Sequence, residues 1–338
     1  MSKKSFRIGV DLMGSEKAPE LFFDAVAATT RELDEQETLV VYGTPEVLAE
    51  LQARSHKLNL KGDRLHLEPC EEVIEMDDSP LTAIRHKKNS TMMTGMRQLR
   101  DAEVDAFVSA GNTGALIASG TIMLPMLPGV ERPALLAMLP TRRGFVAVVD
   151  VGGNVSCKPQ HLVQFAKMGA AYLRSYGLKH TPSVGLLNIG EESKKGTPEA
   201  RQAYEMLEEA CHADSGMTFA GNIEGREVFQ GKVDVLVTDG FTGNIFLKTS
   251  EGVSFFILGY LQDAFNENPD PRLEQVIRTL HGIVDYDEYP GAIVSGVDRI
   301  LIKCHGSSSS RAMSKALLGA RNLLRGEWLT ALRQQLPG

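Results

Sequence analysis

The stretch VDVLVTDGFTGNI occupies residues 233–245 and indicates how the whole chain is built. Its opening run, VDVLV, is apolar except for Asp234 and predicts a short buried strand. Gly240 and Gly243 then predict a tight turn, and the apolar segment from Ile245 to about Phe265 predicts a long helix. Such a junction directs backbone N–H groups and the positive end of a helix dipole at one small volume, which suits an anion.

Polar side chains surround this predicted turn. Asp239, Thr242 and Asn244 lie at its mouth, and Lys248 lies one turn into the helix. Many α/β proteins contain turns of this kind that bind nothing. This stretch alone therefore leaves two interpretations open, an anion site and an ordinary turn.

Composition and charge limit the class of protein. The chain has 338 residues, of which 43% are hydrophobic and 6% aromatic, and it contains 32 glycines. These values favour a globular α/β enzyme, built as one large unit or as two lobes. The net charge of -7 argues against a general nucleic-acid-binding protein, so an acidic partner would have to meet a local basic patch.

Three features predict a cytoplasmic protein. The N-terminal residues lead straight into a strand, which predicts that no signal peptide is present. The longest apolar run, at about 116–127, is interrupted by Ser119, Gly120 and Pro125, so no membrane span is expected, although contact with a membrane surface stays open. The cysteines are far apart and show no metal-like spacing, which predicts reduced thiols: Cys70, Cys157, Cys211 and Cys304.

Predicted strands and helices alternate along the chain. The strands are predicted at 6–13, 38–43, 104–109, 184–188, 233–237 and 299–304, with a hairpin over 131–150. The helices are predicted at 19–33 and 45–53, from Pro80 through Arg100, from Thr197 onward, from 245 to about 265, after the segment 266–269 to about 284, and from Ser310 to the end. This alternation predicts a three-layer α/β/α fold with a mostly parallel sheet, in which ligands bind at the carboxyl ends of the strands.

Loops rich in Gly, Asn, Ser and Lys follow several of the predicted strands. They read AGNTGA at 110–115, DVGGN at 150–154, IGEESKKGTP at 189–198 and HGSSSS at 305–310, and GNIEGR at 221–226 repeats the Gly-Asn pattern just before the 233–245 stretch. Their recurrence makes an accidental turn a weaker explanation for each of them. Together they offer backbone donors, amides, hydroxyls, lysines and one histidine, a set that suits binding phosphate and stabilising an oxyanion.

Several other chemistries lack their sequence signatures. The chain contains no GxxxxGK[ST] loop and no GxGxxG after the first strand, so no nucleotide cofactor is predicted. It contains no HExxH motif, no His/Cys cluster and no GxSxG elbow, so neither a metal site nor a serine hydrolase is predicted. The strand-end loops therefore remain the candidate site.

These loops, in this order, resemble the PlsX phosphate acyltransferases of bacterial phospholipid synthesis. The resemblance runs from about residue 6 to 325 and rests on SAGNTGA at 109–115, LNIGEE at 187–192 with Lys195-Gly196, GNIEG at 221–225, TDGFTGN at 238–244 and HGSS at 305–308, with ERP at 131–133 and Arg85 to Lys88 also in place. Two loops depart from the family. DLMGSE stands at 11–16 where the family usually reads DAMGGD, and Gly152-Gly153-Asn154 stands where it reads Gly-Ala-Asn.

The resemblance implies a reaction and a set of partners. It implies transfer of a fatty acyl group from acyl-acyl carrier protein to inorganic phosphate, giving an acyl phosphate for phosphatidic acid synthesis, without a cofactor. It also implies a homodimer, a fold similar to phosphotransacetylases and isocitrate-type dehydrogenases, and hand-over of product to a membrane glycerol-3-phosphate acyltransferase. We expect one domain over 1–338, with two interlocked lobes as the alternative and a helical pair at about 245–284 for dimer or membrane contact.

The resemblance also suggests roles for individual residues. The expected catalytic residues are Lys195, His305, Asp239 and Asn244. The expected substrate-binding residues are Asn112, Thr113, Asn154, Asn188, Asn222, Glu224, Thr242, Gly243 and Ser307. Arg85, Lys87 and Lys88 are expected to dock the acidic carrier protein, with the basic C-terminal helix as the alternative.

Two other functions stay open at this point. A nicotinamide-dependent dehydrogenase on a similar fold would need a carboxylate cluster for a metal, and a thermal shift with the cofactor would support it. A non-catalytic carrier-protein-binding module would bind the carrier protein without turnover.

Overall fold

Eleven strands lie in residues 5–213, 216–267, 269–284 and 291–336, which are the residues that the computed structural model describes. Most are short runs of buried Val, Ile, Leu and Ala, which suit a sheet covered on both faces. In chain order they are β1 (Phe6–Asp11), β2 (Glu37–Gly43), β3 (Leu65–Pro69), β4 (Ala106–Ser109), β5 (Ala134–Thr141), β6 (Gly144–Val149), β7 (Ser183–Leu187), β8 (Thr218–Ile223), β9 (Val235–Val237), β10 (Ala292–Ser295) and β11 (Ile300–Lys303).

Helices occupy most of the sequence between the strands. In chain order they are α1 (Phe23–Glu32), α2 (Pro45–Ala53), α3 (Ser55–Leu58), α4 (Pro80–His86), α5 (Thr91–Arg100), α6 (Thr113–Met123), α7 (Pro159–Ser175), α8 (Pro198–Ala213), α9 (Gly225–Val228), α10 (Gly240–Glu267), α11 (Pro271–Val284), α12 (Ser310–Arg325) and α13 (Trp328–Gln335). Ser90, Asn112 and Ser309 begin α5, α6 and α12 as N-caps, because each side chain accepts a backbone N–H of the first turn. Within the described ranges, every helix is too short or too polar to cross a membrane.

The chain divides into two units, which are described separately. Unit 1 comprises 1–133 and 289–338, and unit 2 comprises 134–288. In unit 1 the strand order is β3-β2-β1-β4-β11-β10, with β10 antiparallel to β11 and the other pairs parallel. The connections after β1 and after β4 run in opposite directions, so the switch point of this sheet, where open α/β sheets bind ligands, lies between β1 and β4.

Unit 2 has its own mostly parallel arrangement. The strand order is β5-β6-β9-β7-β8, and the antiparallel pair β5 and β6 forms the hairpin that the sequence predicts. Helix α7 packs against β6, β7 and β9 and also against α8. The predicted α/β class with a mostly parallel sheet is therefore confirmed, whereas a single domain over 1–338 stays a prediction.

The predicted continuous helix from Pro80 through Arg100 is wrong. The structure has two helices there, α4 and α5, separated by residues 87–90. Ser90 accepts the Met93 N–H and so begins a new helix, and Lys87 Nζ donates to the Val73 carbonyl at 2.9 Å instead of extending along a helix surface. Local capping therefore interrupts the helix.

The predicted opening of the long helix at Ile245 is also wrong, because α10 already begins at Gly240. The Asp239 carboxylate accepts the Thr242 N–H at 2.9 Å and the Thr242 hydroxyl at 2.8 Å. This is the hydrogen bonding of an N-cap, so the stretch that reads as a turn is the first turn of the helix.

The last predicted helix, from Ser310 to the end, is divided into α12 and α13. Glu327 stands between them with a φ of 53°, a left-handed conformation that ends the first helix. The break turns Trp328 and Leu332 inward, where both are fully buried. The core of unit 1 therefore determines where the C-terminal helix bends.

The close packing of the first turn of α10 gives a stability test. A Cβ atom at Gly243 would lie 1.9 Å from the Asp150 carbonyl oxygen, whereas a Cβ at Gly252, in the same helix, would meet nothing within 4 Å. We expect Gly243→Ala to lower the free energy of unfolding by about 1–3 kcal/mol, because the backbone must shift. Gly252→Ala should raise it by about 0.5–1 kcal/mol. Denaturant unfolding measures both, and equal effects of the two variants would contradict the packing described.

Candidate functional site

The carboxyl ends of three neighbouring strands in unit 1 carry a buried polar cluster. Asp11 ends β1, Ser109 ends β4 and Lys303 ends β11, and the three residues are in register. The Ser109 hydroxyl donates to Asp11 Oδ2 at 3.0 Å and accepts the Gly111 N–H at 3.1 Å. Lys303 Nζ donates to the Ala110 carbonyl at 3.3 Å. The cluster therefore lies at the switch point of the unit 1 sheet.

Asp11 has an unusual environment within this cluster. It is 1% exposed, and its burial raises its pKa from 3.8 to about 6. Hydrogen bonds from the Met13 N–H, Thr91 and Ser109, and the nearby charge of Lys303, oppose this rise. A carboxyl that titrates close to neutral pH at the ligand-binding end of a sheet is a candidate functional group.

Asn112 holds a loop of unit 1 in place. Its amide nitrogen donates to the carbonyls of Glu75, Met76 and Asp78 at 3.2, 3.1 and 3.0 Å, and its amide oxygen accepts the Ala115 N–H at 3.0 Å. The side chain is 6% exposed, so these contacts explain why an amide is needed here. Its predicted role as a substrate donor stays a prediction.

Thr113, His305 and Ser307 also lie after strands of unit 1. Thr113 is the half-buried first residue of α6, whereas His305 and Ser307 are exposed after β11. His305 Nδ1 accepts the Ser307 N–H at 3.2 Å and lies 2.7 Å from the Ser307 hydroxyl. Because Nδ1 accepts this N–H, the proton of the neutral ring is on Nε2.

In unit 2 a single buried carboxylate organises the loop after β6. Asp150 is 0% exposed, and its Oδ1 accepts the N–H groups of Leu135, Gly152 and Gly153 at 2.9, 3.1 and 2.8 Å. Its Oδ2 accepts the Asn154 N–H at 2.7 Å and the Asn154 amide at 2.8 Å. Burial raises the pKa of Asp150, and these hydrogen bonds oppose the rise. Asn154, predicted to bind substrate, thus contacts a carboxylate of the protein itself.

The first turn of α10 and its N-cap, Asp239, include four predicted site residues. Asp239 is half-buried and bonded to Thr242, so a carboxylate of the protein occupies the helix N-terminus where the sequence suggested an anion. Gly243 is buried, and its N–H donates to the Asp239 carbonyl at 2.9 Å. Asn244 is exposed. Among these four, Asn244 is the side chain best placed to meet a ligand.

Two asparagines of unit 2 hold the loop that carries Lys195. Asn188 Nδ2 donates to the Lys195 carbonyl at 3.2 Å and to Asn222 Oδ1 at 3.1 Å. Asn222 Nδ2 donates to the Glu192 carbonyl at 2.8 Å, and Gly196 closes the loop with a φ of +90°. Both asparagines therefore shape the loop, and the Lys195 side chain is exposed at its surface.

Glu224 and its neighbours form an ion-pair network beside this loop. Glu224 pairs with Arg226 at 2.8 Å, and its N–H donates to Glu227 Oε2 at 3.2 Å. Lys232 binds Glu227 and lies 3.6 Å from Glu191 of the Lys195 loop. The hydrogen bond from Lys232 lowers the pKa of Glu227, which keeps that carboxylate charged.

The three residues predicted to dock a carrier protein differ in their contacts. Lys87 forms an ion pair with Asp78 and donates to the Val73 carbonyl, so it holds the loop before α4. Arg85 and Lys88 are exposed. The Lys87 ammonium is thus occupied by contacts within the protein, and Arg85 and Lys88 remain as the docking candidates.

The alternative docking surface, the basic C-terminal helix, is largely used in internal contacts. Arg325 pairs with Asp34 at 2.8 Å and with Glu37 at 2.6 Å. Arg321 donates to the Glu32 carbonyl at 2.6 Å. These arginines hold α12 against unit 1 and so are less suitable for an acidic partner.

Sequence analysis missed four buried polar residues at strand ends, which are Asp11, Ser109, Lys303 and Asp150. Asp11 and Asp150 directly follow apolar runs and precede Gly-rich loops. This signal could have identified both, because a charge at the end of a buried strand needs specific partners. Lys303 gave no comparable signal.

Comparisons with known proteins give consistent results. The profile of a family described as "Fatty acid synthesis protein" matches residues 6–329. A phosphate acyltransferase of Chlamydia pneumoniae is 40% identical over 322 residues, which cover 94% of this chain and 95% of that protein. A phosphate acyltransferase of Caldicellulosiruptor bescii is 36% identical over 335 residues, covering 98% of each.

Solved structures with little sequence identity share the fold. A phosphotransacetylase from Streptococcus pyogenes has a TM-score of 0.65 and 14% identity, and the match covers 96% of this chain and 95% of that one. A putative 4-hydroxythreonine-4-phosphate dehydrogenase from Salmonella typhimurium has a TM-score of 0.53 and 13% identity, covering 94% and 100%. The fold expected from the sequence, similar to phosphotransacetylases, is confirmed.

The raised pKa of Asp11 predicts a pH dependence of stability. The folded state holds the Asp11 proton more tightly than the unfolded state, so the contribution of Asp11 to wild-type stability should fall as pH rises from about 4 through about 6. Asp11→Asn lacks this ionisation, so its stability relative to wild type should improve over the same range by up to about 3 kcal/mol. Denaturant unfolding at several pH values measures the difference. Asp24→Asn, at an exposed position, is the control, and a pH-independent difference for Asp11→Asn would contradict the prediction.

Proposed function

We propose that this chain, a member of the fatty acid synthesis protein family, transfers a fatty acyl group from acyl-acyl carrier protein to inorganic phosphate. The chain is an acyltransferase. The observation that carries the proposal is similarity over nearly the whole chain to proteins named phosphate acyltransferases. The product would be an acyl phosphate and the free carrier protein thiol. Its use would be phosphatidic acid synthesis.

The chemistry of this reaction makes modest demands on the protein. Phosphate is largely a dianion near neutral pH, with a second pKa of about 6 by analogy with phosphoesters, so it attacks without a strong base. A phosphate oxygen forms a bond to the thioester carbonyl carbon, the tetrahedral oxyanion collapses, and the C–S bond breaks. The thiol leaves readily because its pKa is about 8.5. The site has to hold phosphate, orient the thioester and stabilise the oxyanion.

Residues of unit 2 suit phosphate binding. Lys195 is exposed on a loop that Asn188 and Asn222 hold in one shape, and among the described residues its ammonium makes no ion pair. A lysine on a fixed loop retains its charge for a substrate anion. Asn244 supplies an exposed amide donor, and Asp239 fixes the turn that carries it.

His305 of unit 1 suits proton transfer or contact with an oxyanion. The Ser307 N–H fixes Nδ1 as an acceptor, so Nε2 of the neutral ring carries a hydrogen. That N–H can donate to a developing oxyanion or protonate the leaving thiolate. Ser307 orients the ring in this scheme.

Exposed apolar side chains on α10 support the proposed partners. Phe255, Phe256 and Tyr260 are 65%, 73% and 70% exposed, which is unusual for such large side chains. We assign this surface to a homodimer contact. Peripheral contact with a membrane, where a glycerol-3-phosphate acyltransferase would take the product, is the second use proposed for α10 and α11.

The test of the proposed function uses purified protein and palmitoyl-acyl carrier protein, with and without phosphate. Free carrier protein is followed by mass, and hydroxylamine traps acyl phosphate as a hydroxamate. Phosphate-dependent release with trapping supports the proposal. Release without phosphate would indicate a thioesterase, and binding without release would indicate a non-catalytic module.

Replacement of Lys195 tests the phosphate role. We expect Lys195→Ala to raise the phosphate KM or lower kcat by at least about tenfold, roughly 1.4 kcal/mol, because the positive charge is lost. Lys194→Ala is the matched control, since Lys194 is exposed on the same loop and has no proposed role. Steady-state kinetics with varied phosphate gives both values. Wild-type kinetics for Lys195→Ala would remove this residue from the site.

Charge reversal on α4 tests carrier-protein docking. Arg85 is exposed on this helix, where Leu81 is 54% exposed, and Lys88 is exposed just after it. We expect Arg85→Glu to raise the KM for acyl-acyl carrier protein about tenfold at low salt, with a smaller effect at high salt. The phosphate KM should not change. Lys57→Glu, at an exposed position of α3, is the control, and a similar effect of both variants would show that only the overall charge matters.

A further inference from the structure

We infer that Asp150 is a positioning residue of the reaction, acting as an ionised carboxylate that fixes the first turn of α10. This inference rests on the proposed function, because it concerns the residues to which that function assigns phosphate binding. Asp150 lies beneath the site and is 0% exposed, so it does not itself meet substrate.

The loop after β6 is folded around the Asp150 side chain. Four of its five hydrogen bonds come from Gly152, Gly153 and Asn154, at 2.7–3.1 Å. Consecutive backbone N–H groups that converge in this way form an anion-binding concavity. Here the protein fills the concavity with its own carboxylate, so the loop takes its shape from Asp150 and not from a substrate.

The outer side of this loop abuts the first turn of α10. The Gly240 N–H donates to the Asn154 carbonyl at 2.7 Å. A Cβ atom at Gly152 would lie 3.5 Å from Asn244 Oδ1, and one at Gly243 would lie 1.9 Å from the Asp150 carbonyl. Movement of the loop away from α10 would therefore break the hydrogen bond to Gly240, and movement toward α10 would press Gly152 against Asn244.

Strand pairing fixes the other side of the same junction. The Asp150 N–H donates to the Thr238 carbonyl at 3.0 Å, and the Thr238 N–H donates to the Val149 carbonyl at 2.8 Å. Asp239, which caps α10, follows directly. The Asp150 main chain thus fixes where α10 begins, and its side chain fixes the loop that α10 rests on.

The role requires a carboxylate. In Asp150→Asn, the amide oxygen could still accept the three N–H groups that Oδ1 accepts, but the amide nitrogen would face the two donors of Asn154. Donors that face each other lose both bonds and leave buried N–H groups without acceptors. The loop would open on the side next to α10.

A matched carboxylate provides the control. Asp234 precedes β9, at the opposite end of the strand from Thr238, and accepts the Ser183 N–H and the Ser183 hydroxyl, both at 2.9 Å. In Asp234→Asn the amide oxygen can still accept both Ser183 donors, but the ion pair of Asp234 with Lys179, at 3.2 Å, is lost, so this variant removes a carboxylate charge of unit 2 at the amino end of β9. Comparing the two variants separates the effects of a general loss of stability from the effects of misplacing the first turn of α10.

The test compares Asp150→Asn and Asp234→Asn by kinetics and by hydrogen exchange. For Asp150→Asn we expect the phosphate KM to rise about tenfold, with the KM for acyl-acyl carrier protein within about twofold of wild type, and faster exchange of the 240–244 amides. For Asp234→Asn we expect unchanged KM values for the folded protein. A wild-type phosphate KM for Asp150→Asn, or an equal rise in both variants, would overturn the inference.

A second variant keeps the test decisive if Asp150→Asn does not fold. Gly152 has a φ of +137°, so Gly152→Ala strains the same loop while the carboxylate stays in place. Gly152→Ala should raise the phosphate KM, as Asp150→Asn does, and an unchanged phosphate KM would count against the inference.

If the wild-type protein shows no phosphate-dependent turnover, the proposed function fails. Slow wild-type exchange at 240–244 that either variant accelerates would then still support the positioning of α10 by Asp150, and unchanged exchange would overturn it.

Discussion

A carboxylate at the end of a buried strand must be satisfied by hydrogen bonds, and the loops of this protein are arranged around that constraint. Burying an unpaired charge costs far more free energy than a typical single substitution does. The chain that follows the strand therefore supplies N–H groups to the carboxylate. Asp150 receives five such hydrogen bonds, and Asp11 receives the Met13 N–H and the Ser109 hydroxyl. The loops that follow β1 and β6 have their shapes because these carboxylates require hydrogen-bond donors.

Much of the fold can be predicted from the sequence, because buried strands are apolar, short and followed by glycine. The start of α10 could not be predicted, since Gly240 and Gly243 have low helix propensity and resemble turn residues. Packing explains them, because Gly243 is pressed against the Asp150 carbonyl. Strands β3 and β8 were missed because their sequences, LHLEP and TFAGNI, contain polar or turn-forming residues among the apolar ones. Strand β10 was also missed, although its sequence, AIVS, is mostly apolar.

The sequence predicts which types of residue lie in the strand-end loops better than it predicts the role of each residue. Asn112, Asn154 and Asn188 follow strands as expected, whereas Asn222 lies in β8, which was not predicted. The amides of all four bind the protein's own loops. A sequence cannot tell whether an amide faces a ligand or a backbone carbonyl, because both need the same donors. Lys195, Asn244 and His305 are exposed, and these side chains are the ones we assign to substrate.

The most direct test of the proposed chemistry follows the oxygen atoms of phosphate through a single turnover. Purified protein would be mixed with palmitoyl-acyl carrier protein and phosphate labelled with heavy oxygen, and the intact acyl phosphate weighed by mass spectrometry. If a phosphate oxygen attacks the thioester, the acyl phosphate retains every heavy oxygen and carrier protein is released in equal amount. Free fatty acid carrying oxygen from water, with no labelled acyl phosphate, would contradict the account.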